Sequence, residues 1–446
     1  MSGAQETHGP PQLDNGAISV ILGEATARLI DIIARRAQVE ELALFLVGGV
    51  VRDLLLRRPK LDLDFVLESD AIGFAEALAA DFGGALQRHK PFVTATWALD
   101  ASVAEKLSLP SAGLPDHIDF ARARSETYAY PTALPEVAPS SIERDLWRRD
   151  FSLNTLALQL SPAQAAGTLL DVCGGLKDLE QRRIRVLHER SFVDDPTRIL
   201  RALRFARRYG FEIEPETAEW IREALPMLGR ITGIRLGSEF ELILQEDKAA
   251  DIILGLQDMG ALERIHSAFR VSPELEQRLS MTLDGMPRWA EIATADLALR
   301  WSLLLADISE RDAHAVCRRL DMTQALTRSV AAGAKLVADA GRLSETGSRP
   351  SEIARLLDGA PEVSLLAAWI ALSHRPEARR NIDDYCGIWR HQRPSINGVD
   401  LKRMGIPPGP RYKYLLERLR SARIDGDIDT PEEEARFLQA LITECN

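Results

Sequence analysis

The stretch Leu46-Val-Gly-Gly-Val-Val-Arg-Asp-Leu-Leu-Leu-Arg-Arg-Pro-Lys-Leu-Asp-Leu-Asp-Phe-Val66 decides how this chain is read. A strand-like apolar run, Ala43 to Val47, meets a Gly48-Gly49 turn, and a short helix opens there. A second apolar run follows, carrying Asp62 and Asp64 two residues apart. Side chains at i and i+2 of a strand share a face. Two carboxylates on one face repel unless a cation sits between them. Gly48 and Gly49 let the backbone approach a ligand closely, and the amides opening the next helix point at anions. The segment reads as a divalent-cation site beside a phosphate cradle. A pair of solvent-facing acids on an edge strand is the competing reading.

Outward from this segment the chain divides by pattern. Strand-like runs dominate from Ala43 to about Asp171: Ala43–Val47, Asp62–Leu67, Gly84–Arg88, Val93–Leu99, His117–Ala121 and Thr155–Leu160. Helical patterns interrupt them at Val50–Arg58 and Ala71–Phe82, and Ala17–Arg36 carries a core-facing apolar stripe. Ala101–Asp116 reads as a long polar loop, and Tyr130–Ser141, with three prolines, as an extended link. Beyond Asp194 nearly everything reads as helix. The fold class is α+β in front and all-α behind.

With 446 residues the chain is long enough for several domains, and 46% apolar content makes it globular. A net charge of −11 argues against non-specific nucleic-acid binding over the whole surface but leaves room for a local basic groove. Cys173, Cys317, Cys386 and Cys445 are scattered without zinc-ligand spacing, which points to reduced thiols in a cytoplasmic protein. Residues 1–16 read as a disordered polar tail without signal-peptide character. No stretch reaches the length of a membrane span, and no protein partner is evident.

Four more segments follow the paired aspartates. Arg148-Arg149-Asp150-Phe-Ser-Leu-Asn154 puts two guanidiniums beside a carboxylate and an amide. Asp171-Val-Cys-Gly-Gly-Leu-Lys-Asp178 is a glycine hinge, and Asp194-Asp195-Pro-Thr-Arg198 opens a helix rich in arginine. Asp400-Leu-Lys-Arg-Met-Gly-Ile-Pro-Pro-Gly-Pro-Arg411 precedes a basic helix. Taken together, these motifs resemble the class II tRNA nucleotidyltransferase and bacterial poly(A) polymerase family of the polymerase-β-like superfamily. The matching signature runs in order over roughly Val47 to Phe211; between about 260 and 380 the resemblance is only architectural.

The resemblance implies a nucleotidyltransferase head with a small mixed β-sheet and flanking helices at 17–170. It implies an all-α neck at 171–260, body at 261–378 and tail at 379–446 in an elongated arrangement. It also implies a two-metal Mg²⁺ site on Asp62 and Asp64, with a third carboxylate that Asp119 is best placed to supply. Asp119 as an ordinary surface acid is the alternative. Arg52 would help shape the phosphate site beside Gly48 and Gly49. Arg149 would meet the triphosphate, Asp150 would accept from a ribose hydroxyl, and Asn154 would either contact nucleotide or cap backbone.

Asp195 and Arg198 form a candidate base-reading pair. Cytosine and adenine each offer an amine donor beside a ring-nitrogen acceptor, which a carboxylate and a guanidinium match. Uracil and guanine would leave both contacts mismatched. A capped helix with an i,i+3 ion pair is the plainer reading. Arg201 and Arg204 are candidates for lining the nucleotide site. Lys402, Arg403, Arg411 and Lys413 are candidates for contacting the RNA backbone, with Gly405 and Gly409 expected to open helix N-termini.

The implied reaction adds CMP and AMP from CTP and ATP to the 3′ end of tRNA, releasing pyrophosphate. The rivals are an A-adding enzyme or poly(A) polymerase using ATP alone and, from another class, a non-catalytic RNA-binding protein on this fold.

Overall fold

The computed structural model describes residues 13, 15–59, 61–89, 92–127, 136–281, 285–292 and 296–444. The chain divides into two compact units, residues 1–230 and 231–446. Nearly all of the expected N-terminal tail lies outside the described residues, as do Cys445 and the first half of the proline-containing link.

The first unit opens with α1 (Asn15–Leu22) and α2 (Glu24–Val39). One continuous helix was expected there. Gly23 breaks it because its φ of +90° is one that L side chains rarely adopt. There follow β1 (Leu44–Val47), α3 (Gly49–Leu55), β2 (Leu63–Leu67), α4 (Ala71–Phe82), β3 (Leu86–His89) and β4 (Thr94–Ala98). The expected loop after β4 contains α5 (Ala101–Lys106). Asp100 caps it, its Oδ1 accepting from Ser102 N at 2.9 Å and Val103 N at 3.0 Å.

Next come β5 (His117–Arg122), β6 (Arg124–Thr127), β7 (Glu136–Pro139) and α6 (Ile142–Trp147). The described part of the expected link is thus strand β7, paired antiparallel with β6. β8 (Leu156–Ser161) and β9 (Leu169–Asp171) complete the strands of the main sheet.

That sheet has seven strands in the order β3-β4-β5-β2-β1-β8-β9. Only β2 and β5 pair in parallel, so the sheet is mixed. One face buries Phe65 stacked on Phe120 at 5.4 Å, with Phe74 of α4 edge-on to Phe120 at 5.8 Å. The other face buries Phe45, Val47, Val66, Ala123 and Ala157 against Ile142 and Leu146 of α6. This second contact fixes α6, and the arginines that follow it, beside the end of β1.

The unit ends with α7 (Gly175–Glu180), β10 (Arg183–Ile184), α8 (Ser191–Asp194), α9 (Thr197–Tyr209), β11 (Glu212–Ile213) and α10 (Pro215–Ala224). The Gly-Gly element forms a clasp. A Cβ on Gly175 would lie 2.3 Å from the Ser152 carbonyl, so only glycine permits this approach. Asp171 accepts from the amides of Gly175 and Leu176 at 2.7 and 3.0 Å, and Asp178 accepts from Ser152 Oγ at 2.5 Å. The segment before the motif is thereby locked to the segment after it.

The second unit runs from α11 (Gly233–Leu244) to α24 (Pro431–Glu444), and the regular elements among its described residues are all helices. One core gathers Leu303, Leu336, Leu366, Trp369 and Ile382; a smaller one gathers Leu401, Leu415, Leu419, Leu438 and Leu441. The α+β front and all-helical remainder follow the expected fold class. No described helix is long and apolar enough to cross a membrane.

Candidate active site

Strand alternation places Asp64 on the same face as Val66. Asp62 is exposed and immediately precedes β2, while Asp64 is half-buried. The parallel register sets Asp64 directly beside Asp119 of β5, so both carboxylates project from one sheet face. Asp119 Oδ1 accepts from Thr96 Oγ1 at 2.5 Å on the adjoining strand, and His117 Nε2 lies 3.9 Å from its Oδ2.

Among the described residues no three His, Cys, Asp or Glu side chains converge closely enough to hold a metal. The expected three-carboxylate group is therefore not assembled: Asp119 adjoins Asp64 but is turned to Thr96. The donor chemistry still fits Mg²⁺, which takes oxygen ligands from one or two carboxylates and completes its shell with water and substrate phosphates.

At the end of β1, Gly48 has φ +72°. A Cβ there would lie 2.7 Å from Arg149 Nη1, so the Arg149 guanidinium rests directly over the glycine turn. Two segments a hundred residues apart in sequence thus meet where the amides of α3 begin. Arg149 is partly exposed and is held by Asp145, whose Oδ2 accepts from Arg149 Nη2 at 3.1 Å.

Sequence reasoning passes over Asp145, although its i,i+3 and i,i+4 spacing to Arg148 and Arg149 is a readable signal. The acid is fully buried. Its Oδ1 accepts from Arg148 Nε and Nη2 at 3.0 and 2.8 Å and from Arg124 N at 3.1 Å. Burial pushes its pKa up, but the guanidiniums of Arg149 and Arg148 more than offset this and hold it below the ordinary carboxylate value.

Arg52, Asp150, Asn154 and Arg201 form one interlocked network. Arg52 donates from Nε to Asp53 Oδ1 at 2.9 Å, from Nη2 to Asp53 Oδ2 at 3.0 Å, and from Nη1 to Asn154 Oδ1 at 2.5 Å. Its guanidinium lies over the Tyr209 ring at 4.5 Å. At 2% exposure Arg52 is an interior strut rather than an open phosphate ligand. Asn154 Nδ2 donates to Asp150 Oδ1 at 2.8 Å, which also accepts from Phe151 N at 2.9 Å. Arg201 Nε donates to Asp150 Oδ2 at 2.9 Å. Burial opposes the charge on Asp150, but Arg201 and the Asn154 amide hold its pKa far below the usual range. Arg204 is buried, with its guanidinium over Phe205 at 5.0 Å.

Asp195 is extended and precedes α9 rather than belonging to it, so the expected shared helix face with Arg198 does not arise. Asp195 Oδ1 accepts from Thr197 N at 3.0 Å and Thr197 Oγ1 at 2.6 Å, which makes it a cap of α9. Arg198 Nη2 donates to the Arg148 carbonyl at 2.9 Å. A cavity of about 310 Å³ is lined by Glu126, Trp147, Arg148, His188, Asp194 and Arg198. Asp194, rather than Asp195, stands on this cavity wall beside Arg198. His188 is kept toward its neutral form by burial and by the Arg198 charge.

In the helical unit, Lys402 and Arg403 are exposed at the end of α22 (Gly398–Arg403), where Arg403 Nη1 donates to Asp400 Oδ1 at 2.9 Å. Arg411 and Lys413 sit in the first turn of α23 (Pro410–Ile424). Arg411 Nη2 donates to the Ile442 carbonyl at 3.2 Å, and exposed Lys413 lies 3.7 Å from Glu417. Gly409 precedes α23 as expected. Gly405, with φ +81°, instead ends α22. Tyr412 donates to the Ile406 carbonyl at 2.8 Å and packs against the small core, whereas Tyr414 is exposed.

A nucleotidyltransferase head is what these elements outline, and comparison with known proteins agrees. Residues 44–185 match the poly(A) polymerase head domain, and residues 210–277 match the probable RNA- and SrmB-binding site of polymerase A. The chain is 35% identical to an A-adding tRNA nucleotidyltransferase of Geobacter sulfurreducens, over 90% of this chain and 45% of that protein. It thus spans under half of that relative's length. It is 32% identical to the A-adding enzyme of Halalkalibacterium halodurans, over 93% of this chain and 90% of that one. A CC-adding enzyme of Deinococcus radiodurans is 30% identical over 93% of each chain.

Among solved structures, a CCA-adding enzyme in its apo form II matches with a TM-score of 0.77 at 28% identity, over 95% of this chain and 98% of that one. A Thermotoga maritima CCA-adding enzyme complexed with tRNA matches at 0.69 with 28% identity over the same shares. A CCA-adding enzyme in complex with CTP matches at 0.73, again with 28% identity and the same shares. The chain belongs to the class II tRNA nucleotidyltransferase family.

Proposed function

We propose that this chain transfers nucleoside monophosphates from nucleoside triphosphates onto the 3′ end of tRNA, releasing pyrophosphate. One juxtaposition carries the reading: Asp64 and Asp119 side by side on the sheet face, with the Arg149 guanidinium over Gly48 at the end of the neighbouring strand. Asp62 and Asp64 would hold Mg²⁺. When bound, the ion offsets the negative charge of the triphosphate and favours the deprotonated primer hydroxyl. Arg149 and the amides following Gly48 bind phosphate oxygens, where a planar guanidinium fits two at once. Preorganised positive charge at that point suits a transition state that spreads negative charge over the phosphoryl oxygens.

Arg198 reads the pairing edge of the base, with Asp194 on the same cavity wall as acceptor. Arg52, Asp150, Asn154, Arg201 and Arg204 fix the arginine-bearing helix against the head, as the burial of the other four and the Arg201–Asp150 contact support. Lys402, Arg403, Arg411 and Lys413 meet the RNA backbone.

Of the family's nucleotide choices, addition of a single AMP to tRNA ending in CC is favoured by the relatives at 35% and 32% identity, which carry the A-adding name. Stepwise addition of CMP and AMP is the second reading. It is favoured by the full-length likeness to CCA-adding enzymes, one of them in complex with CTP. Two assays separate the readings. With ATP and tRNA ending in CC, incorporation is expected on either. With CTP and tRNA lacking its CCA, incorporation overturns the AMP-only reading. Failure of both assays overturns tRNA as the substrate.

A further inference from the structure

The most deeply buried acid of the site has no part in the reaction outlined above. Asp145 is 0% exposed, yet the Arg149 and Arg148 guanidiniums beside it favour its charged form. One of its oxygens takes Arg149 Nη2 at 3.1 Å. The other takes Arg148 Nε and Nη2 at 3.0 and 2.8 Å, together with the Arg124 amide at 3.1 Å. Each of these partners leads somewhere. Arg149 reaches across to Gly48 of the phosphate cradle. Arg148 turns its carbonyl to Arg198 Nη2 at 2.9 Å, and its own Nη1 donates to Glu126 Oε1 at 2.8 Å. Glu126, Arg148 and Arg198 all line the cavity beside α9.

We infer that Asp145 is a positioning residue that sets the phosphate-facing arginine and the base-facing arginine from a single buried carboxylate. The inference rests on the roles proposed for Arg149 and Arg198. An arginine side chain has many rotamers, and holding it in one geometry before substrate arrives removes that ordering cost from binding. Both oxygens of Asp145 are engaged, so neither guanidinium can swing without leaving a buried charge short of a partner. A group fixed in this way contacts no substrate, yet it ties nucleotide affinity to base choice.

Asp145→Asn keeps the shape and removes the charge. With ATP and tRNA ending in CC, the KM for ATP is expected to rise about tenfold. Discrimination against UTP and GTP is expected to fall and tRNA affinity to change little, while the thermal midpoint drops because Arg148 and Arg149 lose a buried counter-charge. A readout that a structural role would not move is coupling. In an Arg149→Ala background Asp145→Asn adds no further rise in KM, and in an Arg198→Ala background it costs no further discrimination. Additive effects in both backgrounds, or an unchanged KM in the single variant, overturn the inference. Should Asp145→Asn fail to fold, Asp145→Glu retains the charge with its carboxylate displaced; a raised ATP Kd by calorimetry then supports the role and a wild-type Kd overturns it. A wild-type protein that neither binds nor incorporates ATP sinks the site assignment itself, and this role with it. An active wild type with an indifferent Asp145→Asn sinks the role alone.

Discussion

The same residue type does opposite work on two sides of one small site. Asp62, Asp64 and Asp119 stand at the end of parallel strands, exposed or half-buried. Asp53, Asp145 and Asp150 are buried, and each receives a guanidinium. A solvent-facing carboxylate lies where a cation and its substrate can reach it. A closed one must be compensated within the protein, because a buried, uncompensated charge costs several kcal/mol. On the proposed roles, the exposed acids serve the chemistry at small cost to the fold, and the buried acids hold the arginines at a large one. The division says which substitutions should harm turnover and which should harm the protein itself.

The sharpest way to break this comparison is Asp64→Ala. Incorporation of labelled nucleotide should fall about a thousandfold, with the thermal midpoint and tRNA binding nearly unchanged. Retained turnover in a single-turnover assay would remove the open acids from the chemistry. The counterpart on the closed side is Asp150→Ala, which strands Arg201 and Asn154. It should cost about 2–3 kcal/mol of stability in denaturant unfolding, with activity lost through unfolding.

The closed acids also predict an acid signature. Asp150 and Asp145 are both held below their ordinary pKa in the folded protein. A group with a depressed folded pKa contributes stability that is fully present above its unfolded value of about 3.9 and is lost as pH falls from there through the lower folded value. Wild-type stability should therefore decline from about pH 5 downward, and Asp150→Asn should decline less steeply. Parallel slopes from a thermal-shift series at stepped pH would contradict the assignment.

Arg198→Ala sharpens the comparison at the boundary between the two groups. It should lower the preference for the correct base over UTP about tenfold while changing triphosphate affinity less. Steady-state kinetics with each nucleotide decide this. The smallest effect belongs to the helical unit. Lys402→Ala with Arg403→Ala should weaken tRNA binding a few-fold and flatten its salt dependence by about two counterions. A titration at several salt concentrations measures the slope.

Much of the front of the molecule is legible in the chain. Six strands can be read close to their observed positions because alternation of apolar residues is a local signal. The family resemblance carried by the motifs, rather than any local pattern, puts Gly48, Asp64 and Arg149 forward as one site, and Arg149 does lie over Gly48. Helix α5 escapes a sequence reading because the glycine and prolines of its surroundings outweigh an Asp100 cap and six helical residues. The α1–α2 break escapes it because one glycine in a helical pattern is usually tolerated. Asp195 misleads for a different reason: i,i+3 spacing has meaning only inside a helix, and the Asp-Pro pair ends one helix before the next begins.

The sequence alone determined which groups are present, their strand and helix periodicity, and the i,i+2 spacing of Asp62 and Asp64. Those are properties of neighbours along the backbone, set by alternation, capping and steric freedom. Only the tertiary structure decided which acids are sealed beneath arginines and which stay open. Arg52 meets Asn154 across 102 positions and Arg201 meets Asp150 across 51. Burial and charge compensation arise from segments packed together in space, and the cost of desolvating a carboxylate depends on everything around it rather than on the residues beside it in the chain.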